Sequence, residues 1–228
     1  MIQWVYERAS QSAASKILVA TDDSRIEEAV KSFGGEVVMT SANHLSGTDR
    51  LAEVTDQLGL GEQQIVVNVQ GDEPLIPPAV IDQVASNLSE NSGCVAATLS
   101  HKISTLSEFK DPSAVKVVAD ELGTALYFSR APIPWPRDAE LGAEELPEDF
   151  VPQRHLGIYA YRVGLLQSFV HWPQSELEKT ESLEQLRILS QGKNIHVEPC
   201  CEPVPAGVDT PEDLERVRAQ LTKAKATH

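Results

Sequence analysis

The sequence predicts an α/β fold in which helices flank a mainly parallel sheet. Apolar β-branched runs alternate with amphipathic helical patterns through the first half of the chain, as in βαβ units. The strongest apolar run, QIVVNVQGDEP, stops abruptly at Gly71 and Asp72. The pattern then changes at roughly residues 100–170, where strands and loops predominate. We therefore expect a single domain over residues 1–228 with an inserted lobe at about 100–170.

The elements of the first half follow from hydrophobic spacing and from capping residues. In the first segment, Ile2 to Ala14, the residues Ile2, Val5, Tyr6 and Ala9 recur at helical spacing, so the chain opens on an amphipathic helix. KILVATDD is then a strand that ends in acids. SRIEEAVKSFGG is a helix with Ser24 as its N-cap and Glu27 three residues later. EVVMT, TDRLAEVTDQL and QIVVNVQ continue the alternation as strand, helix and strand.

The second half begins with a helix, AVIDQVASNL, and a strand, CVAATLSH. AVKVVADELGTALYFSR predicts two strands around a turn at Leu122 and Gly123, and a Pro-rich stretch with an acidic loop follows. RHLGIYAYRVGLLQSFV is a strand and a helix, ESLEQLRILSQG a helix and IHVEPC a strand. DTPEDLERVRAQL closes the chain as a helix with Asp209 or Thr210 as N-cap and Pro211 in its first turn.

Charge and cysteine usage limit the possible partners and the compartment. The formal net charge is −15, from 19 Lys and Arg against 34 Asp and Glu. This balance argues against nucleic acid, whose phosphates require clustered cations. The odd number of cysteines, without a CxxC pair, favours a reducing cytoplasmic compartment. No signal peptide and no run of about 18–20 apolar residues is apparent, so no membrane association is expected.

Two aspartates are candidates for a metal site. Asp72 follows a buried strand, and ligands of doubly wound sheets bind at the carboxyl ends of strands. A carboxylate there suits Mg²⁺, which takes one or two carboxylates together with phosphate oxygens. Asp209 precedes a helix and would complete the site if its carboxylate meets that of Asp72. The alternative is that each aspartate only caps the helix that follows it.

A polar turn at a predicted helix start is a candidate nucleotide contact. Ser46, Gly47 and Thr48 could present backbone amides to a base edge or a phosphate, and Arg50 adds a forked donor. The alternative is an ordinary Ser/Thr-capped helix with a solvated arginine. Gln70 is delivered to the same end of the sheet as Asp72 by the preceding strand.

Two further clusters could bind a polyhydroxylated anion. Arg154 could pair bidentately with a carboxylate, and His155 or Tyr159 could bond hydroxyl groups. Glu181 and Gln185 lie one helical turn apart, so we expect them to share a helix face. The alternatives are a buried histidine among core tyrosines and a solvent-facing Glu/Gln pair.

Eight segments together resemble one family, the 3-deoxy-manno-octulosonate cytidylyltransferases, or CMP-Kdo synthetases. They are ILVATDD, NHLSGTDRLAEV, VVNVQGDEPLIP, VKVV, ALYFSRAPIPW, RHLGIYAYR, LEQLR and GVDTPEDLERV, in the family's order and spacing. The resemblance covers almost all of residues 1–220. It implies a nucleotidyltransferase-type (Rossmann-like) fold with a dimerisation lobe. It also implies a cytoplasmic homodimer that uses CTP and Mg²⁺ to activate the sugar acid Kdo for lipopolysaccharide biosynthesis.

The resemblance also implies roles for individual residues. Asp72 and Asp209 would hold Mg²⁺ and be the catalytic carboxylates. Gln70 would contact the nucleotide or the sugar, and Ser46, Thr48 and Arg50 would lie near the cytidine. The residues expected around Kdo are Arg154, His155, Tyr159, Glu181 and Gln185.

The sequence departs from the family pattern at its start. Family members begin with a strand and a phosphate-binding loop of the form ARxxSxRLPGKPL, and this sequence starts after that loop. The expectation is therefore a fold without the first strand and with impaired activity. The alternatives are a catalytically inactive binding or dimerisation module and another sugar-nucleotide pyrophosphorylase.

Overall fold

A computed structural model describes residues 1–44, 46–137 and 145–226. These residues divide into two compact units. Unit 1 comprises Met1–Leu60, Asn68–Gln83 and the described residues from Cys201 onward, and unit 2 comprises Gly61–Val67 and Val84–Cys200. Within the described residues, no helix combines the length and the apolar content needed to cross a membrane.

Unit 1 is built around a two-stranded parallel sheet with helices packed nearby. Strands β1 (Val19–Thr21) and β2 (Val37–Met39) pair in parallel. The helices wholly inside unit 1 are α1 (Ile2–Ala9), α2 (Ser24–Ser32), α3 (Gly47–Gln57) and α9 (Pro211–Ala226). Their apolar faces supply a core that includes Val5, Val30, Ala52, Val54 and Val217.

The N-caps of two helices in unit 1 can be compared with the prediction. The cap of α2 differs from the predicted residue, and the cap of α9 is one of the two predicted residues. Ser24 was the predicted N-cap of α2, but this prediction is wrong: Asp23 is the N-cap, and its carboxylate accepts from the Arg25 amide at 2.8 Å. A carboxylate caps as well as a hydroxyl, so spacing alone did not separate the neighbours. Helix α9 begins at Pro211, which makes Thr210 its N-cap position. The Thr210 hydroxyl accepts from the Asp213 amide at 3.2 Å.

Unit 2 contains a mixed six-stranded sheet. The strands are β3 (Ile65–Asn68), β4 (Ala96–Lys102), β5 (Lys116–Ala119), β6 (Ala125–Ser129), β7 (Gln153–Arg162) and β8 (Ile195–Pro199), of which β3 ends in unit 1. Their order is β6-β5-β7-β4-β8, and β3 pairs with β7. β4 and β8 are parallel, whereas β4–β7, β5–β6 and β5–β7 are antiparallel. The α/β class is confirmed, and the described antiparallel pairs all involve strands from the region predicted to be the inserted lobe.

Helices cover this sheet and fill its core. They are α4 (Pro78–Glu90), which begins in unit 1, α5 (Leu106–Lys110), α6 (Val163–Phe169), α7 (Glu176–Glu181) and α8 (Gln185–Ser190). The fully buried side chains include Leu88, Leu99, Phe109, Phe128, Leu166, Phe169 and Leu186. Burial of such a side chain contributes roughly 1.5–3 kcal/mol each, so these contacts hold the helices on the sheet.

The single helix predicted for ESLEQLRILSQG is interrupted in the structure. Ser182 adopts a φ of 51°, a left-handed conformation that ends α7, and α8 starts at Gln185. Glu181 is therefore the last residue of one helix and Gln185 the first of the next. The prediction that they share one helix face is wrong, because the left-handed residue redirects the chain between them.

The turn between β5 and β6 reaches the outer edge of β8. Gly123 has a φ of 77° in this turn, and its carbonyl accepts from the Val197 amide at 2.7 Å. Thr124 forms an isolated antiparallel bridge with His196. The terminal strand β8 is thus held on both sides, by β4 and by this turn.

Candidate active site

The carboxylates of Asp72 and Asp209 are both available for a ligand. Thr210 and Asp213 cap α9 reciprocally, since the Asp213 carboxylate also accepts from the Thr210 amide at 3.1 Å. Asp209 is therefore not needed as the helix cap, which was the alternative explanation for it. Among the described residues, neither Asp72 nor Asp209 makes a side-chain hydrogen bond or ion pair.

The fold brings the two aspartate-bearing segments into contact inside unit 1. The Val208 amide donates to the Asp72 carbonyl oxygen at 2.9 Å. A Cβ added to Gly207 would lie 3.2 Å from that oxygen and 3.8 Å from Asp72 Cγ. Residues separated by well over one hundred positions in sequence therefore pack backbone to backbone. Asp209 follows this contact by a single residue.

The chemistry of these donors fits a hard divalent cation. Glu73 is partly buried, and its burial, followed by the charge of Asp72, raises the pKa of its carboxyl to about 7. Burial therefore favours the protonated form of Glu73, and the carboxylates offered to a cation are those of Asp72 and Asp209. Among the described residues, no group of three or more His, Cys, Asp or Glu side chains forms a ready-made metal cage. Mg²⁺ does not require such a cage, because phosphate oxygens and water commonly complete its shell.

The predicted nucleotide residues surround the first turn of α3. Ser46 is the N-cap of this helix, and its hydroxyl accepts from the Asp49 amide at 3.1 Å. Thr48 is buried. The capping role of Ser46 is thus present, as the alternative interpretation required. The amide groups of this turn still provide the partial positive charge that helix N-termini offer to anions.

Arg50 is held in place and is not a solvated arginine. Its guanidinium pairs with Asp22 at 3.2 Å and donates to the Thr40 hydroxyl. Asp22 follows β1 and Thr40 follows β2, so Arg50 ties α3 to the carboxyl ends of both strands. Gln70 is exposed in unit 1 and precedes Asp72 by two residues.

The predicted sugar residues on β7 lie on opposite faces of the sheet. Consecutive strand residues point to opposite faces, so Arg154 and His155 face opposite ways. The His155 ring lies 5.1 Å from the Phe128 ring and 5.3 Å from that of Tyr159. The Tyr159 and Tyr161 rings stack at 5.3 Å. His155 and Tyr159 thus form one aromatic cluster.

The protonation of His155 follows from its surroundings. Burial, followed by the charge of Arg154, lowers the pKa of the imidazole to about 3, so the ring is neutral. Its Nε2 lies 3.0 Å from the Thr98 hydroxyl oxygen, which is also 2.9 and 2.8 Å from the Leu156 and Ile158 carbonyls. The Thr98 hydroxyl thus links the imidazole to the backbone of β7, and the tautomer of the ring decides which of the two atoms donates.

Arg154 and Glu181 belong to a different, charged group. Lys116 stands opposite Ser129 on one side and opposite Arg154 on the other, so these residues share a sheet face. The Glu181 carboxylate accepts from the Ser129 hydroxyl at 2.6 Å and from the Arg130 amide at 2.9 Å. Arg154 lies 3.3 Å from Glu108 and is otherwise exposed.

Two of the predicted sugar residues have polar groups that the described chain leaves unused. The Tyr159 hydroxyl is buried without a hydrogen-bond partner among the described residues. Gln185 is also buried, and its side-chain amide makes no hydrogen bond within the described part of the chain. These groups are available to a ligand, whereas Glu181 already has two partners.

Several residues of these clusters were not predicted. Arg130 holds the α7 terminus, donating to the Glu181 carbonyl at 2.6 Å, and the signal for it is an arginine directly after the apolar run ALYFS. Thr98 is the hydrogen-bond partner of the His155 ring, but a threonine inside an apolar strand gives no signal in the sequence. Glu73 stands next to Asp72, and burial sets its role, which sequence spacing does not reveal.

Comparison with known proteins identifies the family of the chain. Residues 1–195 match the family profile described as cytidylyltransferase. The 3-deoxy-manno-octulosonate cytidylyltransferase of Cellvibrio japonicus is 61% identical over 97% of this chain and 88% of its own length. The corresponding protein of Saccharophagus degradans is 62% identical, with the same coverage of both chains.

A solved structure is similar over nearly the whole chain. It is a CMP:2-keto-3-deoxy-manno-octonic acid synthetase complexed with CTP, with a TM-score of 0.87 and 45% sequence identity. The match covers 98% of this chain and 88% of that one. A cytidylyltransferase from Leptospira borgpetersenii, with a TM-score of 0.58 and 17% identity, shares the fold alone.

Proposed function

The chain belongs to the 3-deoxy-manno-octulosonate cytidylyltransferases, a family of nucleotidyltransferases, and on this premise we propose that it joins CTP to Kdo. The products are CMP-Kdo and pyrophosphate, and the activated sugar serves lipopolysaccharide biosynthesis. The observation that supports the proposal is the backbone contact between Val208 and Asp72, which brings the segment that carries Asp209 to the segment that carries Asp72.

The nucleotide is assigned to unit 1. The first turn of α3 offers its amides to the cytidine portion of CTP, and Arg50 holds that turn on the ends of β1 and β2. Ser46 and Thr48 shape the turn, and exposed Gln70 offers an amide to the nucleotide. These groups bind and orient the nucleotide, and positioning of this kind is the main catalytic device of phosphoryl-transfer enzymes.

Asp72 and Asp209 are assigned as the residues that hold Mg²⁺. The bound ion would neutralise triphosphate charge and polarise the α-phosphate, the general role of divalent ions in such reactions. The protein's part is to supply two carboxylates that no other described group engages.

The sugar acid is assigned to unit 2. Neutral His155 presents an acceptor nitrogen, and Tyr159 and Gln185 contribute unused polar groups that suit hydroxyls. Arg154 has the forked geometry that pairs bidentately with a carboxylate, but it lies on the opposite face of β7 from His155 and Tyr159, so its contact would be separate from theirs. Glu181 supports this unit through Ser129 and Arg130.

We also propose that the chain forms a homodimer in the cytoplasm. Large apolar side chains are exposed at several positions of the predicted lobe, namely Leu122, Leu126, Trp135 and Val151. A contiguous apolar patch commonly marks a protein interface, and the proposal is that side chains of this set form one. Replacing Leu126 by Glu should shift the molar mass measured by light scattering from two chains to one, and an unchanged mass would remove this part of the proposal.

Activity is measured from CTP and Kdo in the presence of Mg²⁺, as the formation of CMP-Kdo and the release of pyrophosphate. Asp72→Asn and Asp209→Asn should each lower kcat at least about 100-fold, because one metal carboxylate is lost. Glu212→Gln, an exposed acid in the first turn of α9, is the matched control and should retain activity. UTP in place of CTP, and other sugar acids in place of Kdo, separate this reaction from related pyrophosphorylases.

Absence of CMP-Kdo from the unaltered chain under these conditions would reject the proposal. If Kdo binding were retained without turnover, the chain would be a binding module. Full activity of both asparagine variants would reject the assigned metal carboxylates while leaving the reaction in place.

A further inference from the structure

The segment that presents Asp209 is held by a single arginine from α9. Nη2 of Arg216 lies 3.1 Å from the carbonyl oxygen of Ala206, 3.1 Å from that of Gly207 and 2.9 Å from the Asp213 carboxylate. The Arg216 and Asp213 side chains are only 35% and 28% exposed. One guanidinium nitrogen therefore joins the turn before Asp209 to the helix after it.

Asp213, the anchor of that arginine, is itself fixed. Its carboxylate accepts from the Thr210 amide at 3.1 Å and from the Thr210 hydroxyl at 2.8 Å. Thr210 in turn caps α9. Asp209 therefore lies between two fixed points of the chain. Thr210 follows it and is bound to Asp213, and Ala206 and Gly207 precede it and are bound to Arg216 through their carbonyls.

The same turn contacts the Asp72 backbone. Val208, next to the two carbonyls bound by Arg216, donates its amide to the Asp72 carbonyl at 2.9 Å. Gly207 lies so close to Asp72 that an added Cβ would be 3.2 Å from this oxygen, tighter than most real Cβ contacts tolerate. A continuous set of contacts therefore runs from Arg216 through the turn to Asp72.

We propose that Arg216 is a positioning residue that sets the spacing between Asp72 and Asp209, with Gly207 permitting the close backbone approach. This inference rests on the proposed metal role of the two aspartates. Groups that orient metal ligands without touching the metal commonly change metal affinity or activity by about 10–100-fold when replaced. Arg216 is suited to this role, because its Nη2 lies within hydrogen-bond distance of two carbonyls of the turn and of the Asp213 carboxylate together.

The test measures metal binding directly, without turnover. Mn²⁺ replaces Mg²⁺ as a paramagnetic probe, and free Mn²⁺ is titrated by electron paramagnetic resonance with the full chain and CTP present. Arg216→Met should weaken Mn²⁺ binding about tenfold or more, and Arg216→Lys should recover only part of the loss. Arg218→Met is the matched control, because Arg218 is 64% exposed on the same helix and pairs with Glu215 at 2.7 Å.

A second variant guards against simple loss of folding. Gly207→Ala changes no charge and leaves Arg216 in place, yet should also weaken Mn²⁺ binding by pressing the turn away from Asp72. In both variants the Val208 amide should exchange its hydrogen for deuterium faster than in the unaltered chain. The Kdo affinity, measured by calorimetry, should stay within about twofold, which a general loss of structure would not allow.

The outcomes separate this inference from the proposed reaction. Tight Mn²⁺ binding without CMP-Kdo formation would reject the reaction and leave the role of Arg216 to be decided by the variants. No Mn²⁺ binding by the unaltered chain would overturn the inference. Mn²⁺ affinity in Arg216→Met equal to that in Arg218→Met would overturn it as well.

Discussion

Acidification should destabilise the protein partly through His155, and replacing this residue by glutamine should remove that part. The imidazole has a pKa of about 3 in the folded chain, against an ordinary value of 6.5. The folded-state pKa lies below the unfolded one, so the unfolded chain binds more protons between these values. The stabilisation is therefore complete above the unfolded pKa and is lost as the pH falls from about 6.5 toward 3.

The size of the effect follows from these two pKa values. Between about pH 7.5 and about pH 5 the unfolded imidazole takes up nearly a full proton that the folded one refuses, which costs about 2 kcal/mol. The ring contacts with Phe128 and Tyr159 and the bond to Thr98 are the structural source of this cost, because they exclude water from the charged form.

Urea unfolding gives the free energy of unfolding of each protein at both pH values. The effect is the change between the two pH values in the unaltered chain minus the same change in His155→Gln. The unaltered chain should lose about 2 kcal/mol more than His155→Gln between the two conditions, whatever the absolute stability of the variant. His171→Gln, an exposed histidine in unit 2, controls for loss of a histidine as such. Equal pH dependence in the unaltered chain and in His155→Gln would refute the reasoning.

Three further predictions concern stability and are checked by urea unfolding. Glu178→Gln should cost about 3 kcal/mol, because it leaves the largely buried Arg187 without its carboxylate partner, and adding Arg187→Met should recover part of the loss. Gly123→Ala should cost about 2 kcal/mol from its positive φ and from a Cβ only 2.6 Å from a buried imidazole carbon, whereas Gly192→Ala, with a positive φ but open space, should cost less. Ser46→Ala should lower the free energy of unfolding by about 1 kcal/mol, because it removes the cap of α3, whereas Ser46→Asn should keep most of that stability, because asparagine is also a good cap.

Local patterns in the sequence were sufficient for most elements of the fold. The run IVVN stands as β3, and the apolar residues near the N-terminus form α1 as their spacing predicts. The turn at Leu122 and Gly123 also lies between two strands, as predicted. In each case the signal is contained in the residues of the element itself, so no knowledge of the partner is required.

Features that depend on distant contacts could not be predicted in this way. Glu181 and Gln185 have the spacing of neighbours on one helix, but Ser182 takes a left-handed conformation that Arg130 holds from another part of unit 2. The hydrogen-bond partner of the His155 ring is Thr98, which lies on the neighbouring strand β4. Such contacts are set by strand pairing, and the sequence shows the members of each pair without their register.

The candidate metal pair shows the same division. Asp72 and Asp209 could be singled out because each follows or precedes a regular element in a polar segment. Whether Asp209 caps α9 could not be decided from spacing, since Asp and Thr are both good caps. The structure gives the cap to Thr210, and only this assignment leaves the aspartate for another role.

The turn at Gly123 also bears on how the protein behaves at high concentration. A terminal strand with unsatisfied amides and carbonyls can recruit strands of other molecules and start aggregation. Here the Gly123 carbonyl and the Thr124–His196 bridge occupy part of that edge of β8. The hairpin therefore acts as an intramolecular shield, and a chain in which it opens would be prone to self-association while most of its secondary structure is still intact.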